Sequence, residues 1–217
     1  MDDMSIIRKK QVPVYLEGEE LNFYVVENIE DLITDLSDED KVPCWADIWP
    51  ASYGVAAFIW ENMNFRENET LMELGAGIGL PGIVAALKGA RVTLSDFNSQ
   101  ALVLAAENAR KNNVEVSIMQ EDWRSFKTRD KYDYLLASDV LYDPKLNPFL
   151  GEIFVNNISP GGKVIISHPE RKATYEFLES WEKRKLFTED VYVREVELEG
   201  FLLPSYTIVI HILSFSG

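Results

Sequence analysis

Between residues 70 and 167, short apolar runs alternate with longer stretches whose apolar residues recur every three or four positions. Runs of the first kind suit buried strands and those of the second suit amphipathic helices. Their alternation is the pattern of a parallel sheet covered by crossover helices. The spacing predicts strands over 71–74, 91–95, 115–119, 132–137 and 163–167, and helices over 80–88, 99–112, 147–156 and 174–185. Two late β-rich runs, 189–198 and 206–213, are separated by Gly200 and Pro204 and predict an antiparallel pair at the edge of the sheet. Upstream, 12–16 and 21–26 flank the turn-forming Glu17-Gly18-Glu19 and predict a hairpin, which the acidic stretch 31–40 connects to the rest. Val55, Ala56, Phe58, Ile59 and Met63 predict a helix over 52–63 with Ser52 as its cap. The expected fold is therefore α/β: a Rossmann-like, seven-stranded, mostly parallel sheet with helices on both faces, an antiparallel C-terminal edge and an N-terminal β-hairpin extension. A chain of 217 residues fits one such domain, with 1–42 as the extension and 43–217 as the core.

Composition narrows the partners. The formal net charge is −15, from 21 Lys plus Arg against 36 Asp plus Glu. That charge repels a phosphate backbone, and the two basic triplets, Arg8-Lys9-Lys10 and Lys183-Arg184-Lys185, read as solvated surface. A nucleic-acid substrate is not expected, whereas a basic protein segment would be steered toward such a surface. Cys44 is the only cysteine, Met1-Asp2-Asp3-Met4 lacks the basic-then-apolar pattern of a secretory leader, and charges interrupt every long apolar run. A cytoplasmic protein without disulfide or membrane span is the expectation. The two histidines lie far apart in sequence: His168 follows the fifth strand of the core and His211 sits in the last β run. Both read as structural, with substrate contact as the alternative for His168, and no metal site is expected.

The densest chemistry lies in Glu73-Leu74-Gly75-Ala76-Gly77-Ile78-Gly79-Leu80, between a predicted strand and a helix with Pro81 in its first turn. Glycines let the backbone approach a ligand, and the helix start offers free N–H groups at the carboxyl ends of the strands, where such sheets bind. Gly77, Gly79 and Gly82 also satisfy the dinucleotide spacing G-x-G-x-x-G, so the glycines alone leave the ligand open. Three acids favour S-adenosylmethionine. Glu73 suits a cationic ligand better than a pyrophosphate. Asp96, after the second strand, can accept both ribose hydroxyls. Asp122 can accept from the exocyclic amine of adenine while Trp123 covers the purine face. The competing readings are an ordinary tight turn for the glycines and local packing for Asp122 and Trp123.

Asp139 follows the apolar fourth strand, whose end should open on the same crevice as Gly75. A carboxylate there can hydrogen-bond an incoming amine, aim its lone pair at a methyl group and accept its proton, unless solvent takes that proton first. Tyr142, one turn further on if the segment is helical, can close the channel or bond the nucleophile. The competing reading makes Asp139 a turn cap and Tyr142 a core residue, and Asp143-Pro144 reads as a turn. Trp45 and Trp49 flank Asp47, and for both the alternative is packing of the hairpin onto the sheet.

The runs ELGAGIGL, LSDFN and EDW together resemble the seven-β-strand S-adenosylmethionine-dependent methyltransferases, over roughly 70–167. PCWADIWPAS, ELGAGIGLPGIVAAL and ASDVLYDP resemble, more narrowly, the family-16 protein lysine methyltransferases, including the branch that methylates the electron-transfer-flavoprotein β subunit. Similar sequences also occur among nicotinamide N-methyltransferase-like proteins. The resemblance implies that Trp49 lines the cofactor pocket. It gathers Glu73, Gly75, Gly77, Gly79, Asp96, Phe97, Asp122, Trp123 and Ser138 around the cofactor, and makes Asp139 and Tyr142 the D-x-x-Y/F element that meets the acceptor. It further implies transfer to nitrogen, in a protein lysine or alternatively a nicotinamide-like small-molecule amine. An NAD-dependent oxidoreductase and a cofactor-binding protein without transfer activity are the remaining alternatives.

Overall fold

The computed structural model describes residues 7–32, 43–183, 187–198 and 203–215. Strands β1 (Lys9–Leu16) and β2 (Glu19–Val26) form the expected hairpin, longer than the apolar alternation suggested, and turn at Glu17-Gly18 with Gly18 at φ +82°. There follow α1 (Pro50–Asn62), β3 (Thr70–Leu74), α2 (Leu80–Leu87), β4 (Arg91–Asp96), α3 (Ser99–Lys111), β5 (Ser117–Gln120) and β6 (Tyr132–Ser138). The chain continues through α4 (Asn147–Asn157), β7 (Ile158–His168), α5 (Lys172–Glu182), β8 (Phe187–Glu197) and β9 (Ser205–Phe215). Most of the acidic connector, the end of the predicted 174–185 helix and part of the second basic triplet lie outside the described residues.

The main sheet has seven strands in the order β5-β4-β3-β6-β7-β9-β8, parallel through β7 and antiparallel at β9 and β8. The chain steps outward from β3 to β5, then returns to place β6 on the other side of β3. That reversal opens a crevice at the carboxyl ends of β3 and β6, the position at which doubly wound sheets bind ligands. Alternation along each strand separates two apolar layers. Leu71, Leu136, Ile165 and Ile210 face α1, α2 and α3, and Met72, Leu135, Val164 and Ile166 face α4 and α5. Among the described residues no helix is long and apolar enough to cross a membrane.

The hairpin docks on α3 through asparagines that act as a substitute strand. Asn108, fully buried, accepts from the Tyr24 N–H at 2.7 Å and donates to the Tyr24 carbonyl at 3.1 Å and to the Ile78 carbonyl at 3.0 Å. Asn112 pairs in the same way with the Asn22 backbone. One amide thus ties the hairpin to the glycine loop and satisfies three backbone groups.

Four local expectations are corrected. Ser52 is not a cap: Pro50 takes the first helical position, whose N–H would have no partner anyway, and the Ser52 hydroxyl donates to the Trp49 carbonyl at 2.7 Å. Strand β5 starts at Ser117 because the Val114 N–H closes the end of α3 on the Ala109 carbonyl, and Val114 and Val116 pack against the core. Strand β7 begins at Ile158, where one pairing with Tyr132 precedes a register shift through Pro160 and Gly161. The segment from Asp139 to Tyr142 is a bend and turn, so Tyr142 does not lie one helical turn from Asp139.

Candidate active site

The loop from Gly75 to Gly79 leaves β3 in left-handed backbone and enters α2, with Gly79 at its N-cap. A Cβ on Gly75 would stand 2.8 Å from Val140 Cγ1 and 3.0 Å from Trp123 Cζ2, at φ +67°, so only glycine keeps this cradle open. Asp96, buried at the end of β4, accepts from the Gly77 N–H at 3.0 Å and the Asn98 N–H at 2.9 Å. It therefore fixes the loop from beneath. Burial pushes its carboxyl above the usual range, against those backbone hydrogen bonds.

Among the described residues Glu73 is the most deeply buried acid. It is fully buried and accepts from the Gly82 N–H at 2.9 Å. Burial, and to a lesser extent the charge of Asp96, raises its carboxyl to about 8. A Cβ on Gly82 would lie 2.6 Å from its oxygen, so the third glycine of the dinucleotide-like spacing here makes room for an acid.

Ten of the twelve site residues expected from sequence line one cavity of about 310 Å³: Trp49, Glu73, Gly75, Gly77, Asp96, Phe97, Trp123, Ser138, Asp139 and Tyr142. Gly79 does not. Its missing side chain leaves room for Leu94 Cδ1, which a Cβ would approach to 2.9 Å, so it packs helix on sheet. Nor does Asp122, whose carboxylate caps the turn at Trp123–Ser125 and grips Arg124 at 2.8 Å, which holds it below the usual carboxylate range. A separate hollow of about 200 Å³ behind Trp123, against α4, contains none of the other expected residues. Three of its lining aromatics, Trp49, Phe97 and Tyr142, are exposed, at 37%, 47% and 47%.

At the inner wall, Asp139 adopts φ +51° and donates its N–H to the Ser167 carbonyl at 2.7 Å. Its carboxylate is held by the Arg171 guanidinium, Nε to Oδ1 at 2.9 Å and Nη2 to Oδ2 at 2.8 Å. Sequence reasoning missed Arg171. The available signal was the first cation after the carboxyl end of β7, in His168-Pro169-Glu170-Arg171, and hence at the crevice. It also missed Cys44, which lines the cavity. Trp45 and Asp47 line it as well, so the tryptophan-rich segment serves the cavity and not only the hairpin.

The two histidines, distant in sequence, meet in the fold: both are buried and their Nε2 atoms are 2.9 Å apart. Among the described residues no cluster of three or more His, Cys, Asp or Glu could hold a metal. A glycine cradle that a Cβ would fill, a buried acid under the loop and a second beside the cavity fit a cationic adenosyl ligand.

Comparison with known proteins bears on the same segment. The chain is 28% identical over 161 residues to Protein N-lysine methyltransferase METTL21A of Xenopus tropicalis, 71% of this chain and 74% of that protein. It is 26% identical over 188 residues to the Electron transfer flavoprotein beta subunit lysine methyltransferase homolog of Caenorhabditis elegans, 78% and 73% of the two chains. Against Histone-arginine methyltransferase METTL23 of Xenopus laevis the identity is 34% over 107 residues, and the match spans less than half of either chain, 45% of each. The fold is that of a putative RNA methyltransferase, PH1948 from Pyrococcus horikoshii, with a TM-score of 0.58, 18% identity, and 76% and 82% of the chains covered. The family profile described as "Lysine methyltransferase" matches residues 28–184 and so takes in every strand that carries the cavity. The chain belongs to the lysine methyltransferase family, and it is an S-adenosylmethionine-dependent methyltransferase.

Proposed function

We propose that this enzyme methylates the side-chain nitrogen of lysine in a protein. The observation that carries the reading is the position of Asp139. Its carboxylate lines a cavity whose wall also carries the exposed aromatics Trp49, Phe97 and Tyr142, surroundings that suit a long alkyl chain ending in an amine. The net charge of −15 favours approach of a basic segment.

Bound S-adenosylmethionine supplies an electrophilic methyl group on a positively charged sulfur. In this reading the glycine loop receives it, Asp96 accepts its ribose hydroxyls, and Trp123 and Phe97 cover its adenine. Asp122 reaches the adenine amine only by sharing its carboxylate with Arg124. Ser138, bonded to Ser167 through their hydroxyls at 3.1 Å, and Trp49 complete the wall. Glu73 provides a buried acid next to the cationic ligand. An amine must shed a proton before it can attack, and Asp139 then accepts a hydrogen bond from a remaining N–H and directs the lone pair. Tyr142 packs along the alkyl chain at the mouth.

The test is to incubate the full chain with tritium-labelled S-adenosylmethionine and lysate of its own cells, then hydrolyse the labelled fraction. Methyllysine in a polypeptide is the expected product. Label confined to small-molecule amines would establish the nicotinamide-like alternative, and methylarginine would replace lysine as the acceptor.

A further inference from the structure

Behind the cavity wall, polar side chains from β8, β9 and β7 form a continuous string. Glu189 Oε1 lies 2.6 Å from His211 Nδ1, His211 Nε2 lies 2.9 Å from His168 Nε2, and His168 Nδ1 accepts the Arg171 backbone N–H at 2.8 Å. That last bond sets every proton in the string. A backbone N–H only donates, so Nδ1 of His168 is bare and its proton sits on Nε2. Nε2 donates to His211 Nε2, which leaves the His211 proton on Nδ1, where the Glu189 carboxylate accepts it.

The two ring planes are 7° apart and their centroids 5.1 Å apart, which with Nε2 atoms at 2.9 Å sets the rings edge to edge in nearly one plane, and Tyr175 of α5 meets His168 edge-on at 4.8 Å. His168 is held far below the ordinary imidazole range, at about 3, by burial and by the neighbouring His211 and Arg171, and so stays neutral. Beyond His168 the string reaches Arg171, at the N-cap of α5, whose guanidinium grips Asp139 with two parallel bonds. Thr174 adds a tie from α5 to the Leu141 carbonyl at 3.2 Å, within the turn that carries Asp139 and Tyr142.

On the reading that Asp139 meets the acceptor amine, we propose that Arg171 is the positioning residue of the transfer site and that the Glu189–His211–His168 string aims it. A planar fork with two N–H groups on one carboxylate fixes rotation of that carboxylate, which a lysine in its place could not do. The outer lone pairs of Asp139 remain for the N–H of the amine. Taking up the proton of the amine would cost Asp139 one of its guanidinium bonds, so water receives that proton and the carboxylate serves to orient. Asp139 holds a left-handed backbone, uncommon outside glycine, and the clamp supplies part of what keeps it there.

Glu189 is the informative position, because it does not line the cavity and its side chain is 32% exposed on the edge strand. Nitrogen-15 NMR of the full chain should show His168 with a bare Nδ1 and a protonated Nε2, and an Arg171 Nε–H protected from exchange. In Glu189→Ala that exchange should accelerate about tenfold. Methyl transfer to polylysine should lose about three- to tenfold in kcat, with KM for S-adenosylmethionine unchanged. Glu189→Gln keeps an acceptor for His211 and should return both readouts to within about twofold of the parent. Arg171→Lys should lower kcat about tenfold or more while binding S-adenosylhomocysteine normally. The inference is overturned if Glu189→Ala matches the parent in both readouts, if Gln and Ala lose equally, or if His168 carries its proton on Nδ1. A parent enzyme that labels no lysine while the exchange pattern holds would overturn the choice of acceptor and leave the string standing.

Discussion

Replacing Glu73 by Gln should make the protein more stable and its cofactor site worse. In the fold this carboxyl is raised from 4.5 to about 8, whereas in the unfolded chain it ionises near its ordinary value. The folded state therefore binds the proton more tightly than the unfolded state. Stability from this group is greatest below about pH 4.5, falls as pH rises from there through about 8, and is flat above. At 1.36 kcal/mol per pH unit, the loss relative to the protonated form is about 1 kcal/mol at pH 5, about 3 at pH 7 and about 5 at pH 9. Gln does not titrate and can still accept from the Gly82 N–H, so Glu73→Gln avoids that loss. Urea unfolding of both proteins at pH 5, 7 and 9 should give a stability difference that widens by roughly 2 kcal/mol between the first two. A difference independent of pH would refute the claim that Glu73 is buried and protonated. Above about pH 8, where Glu73 is ionised, the mutant should also bind S-adenosylmethionine more weakly than the parent, since Gln cannot place a negative charge beside the cation. A destabilising acid at the cavity then has a functional reason to be there.

Asp139→Ala should abolish transfer in a methyl-release assay while calorimetry finds cofactor affinity nearly unchanged; surviving transfer would remove Asp139 from the site. Asp96→Ala should weaken cofactor binding by about 2 kcal/mol through lost hydrogen bonds to a charged acceptor, and unaltered calorimetric affinity would exclude its ribose role. Asn108→Ala strands the Tyr24 N–H and the Tyr24 and Ile78 carbonyls. It should cost about 3 kcal/mol in denaturant unfolding and raise hydrogen exchange in β2 and the glycine loop together.

The order of elements, the hairpin, the antiparallel edge and the placement of the glycine loop at a strand end were all legible along the chain. Each depends on periodicity within a segment or on residues adjacent in sequence: the run of buried β positions before Gly75, the glycines themselves, Pro81 in the first turn of α2. Helix and strand ends were less legible, as at Ser52, because Pro50 competes for the start of α1. The partners of the site residues were less legible. Asp122 turned to Arg124, two residues away; Asp139 to Arg171, 32 residues away; His168 to His211, 43 residues away. A carboxylate at a strand end declares that it needs a donor but not which one. The crossovers that set β7 beside β6, and β9 beside β7, decided which charges came within hydrogen-bond reach. Local pattern therefore determined where the chemistry sits and, at Asp122, its partner as well, whereas strand order determined what Asp139 and His168 are bonded to, because those pairings act across space and not along the chain.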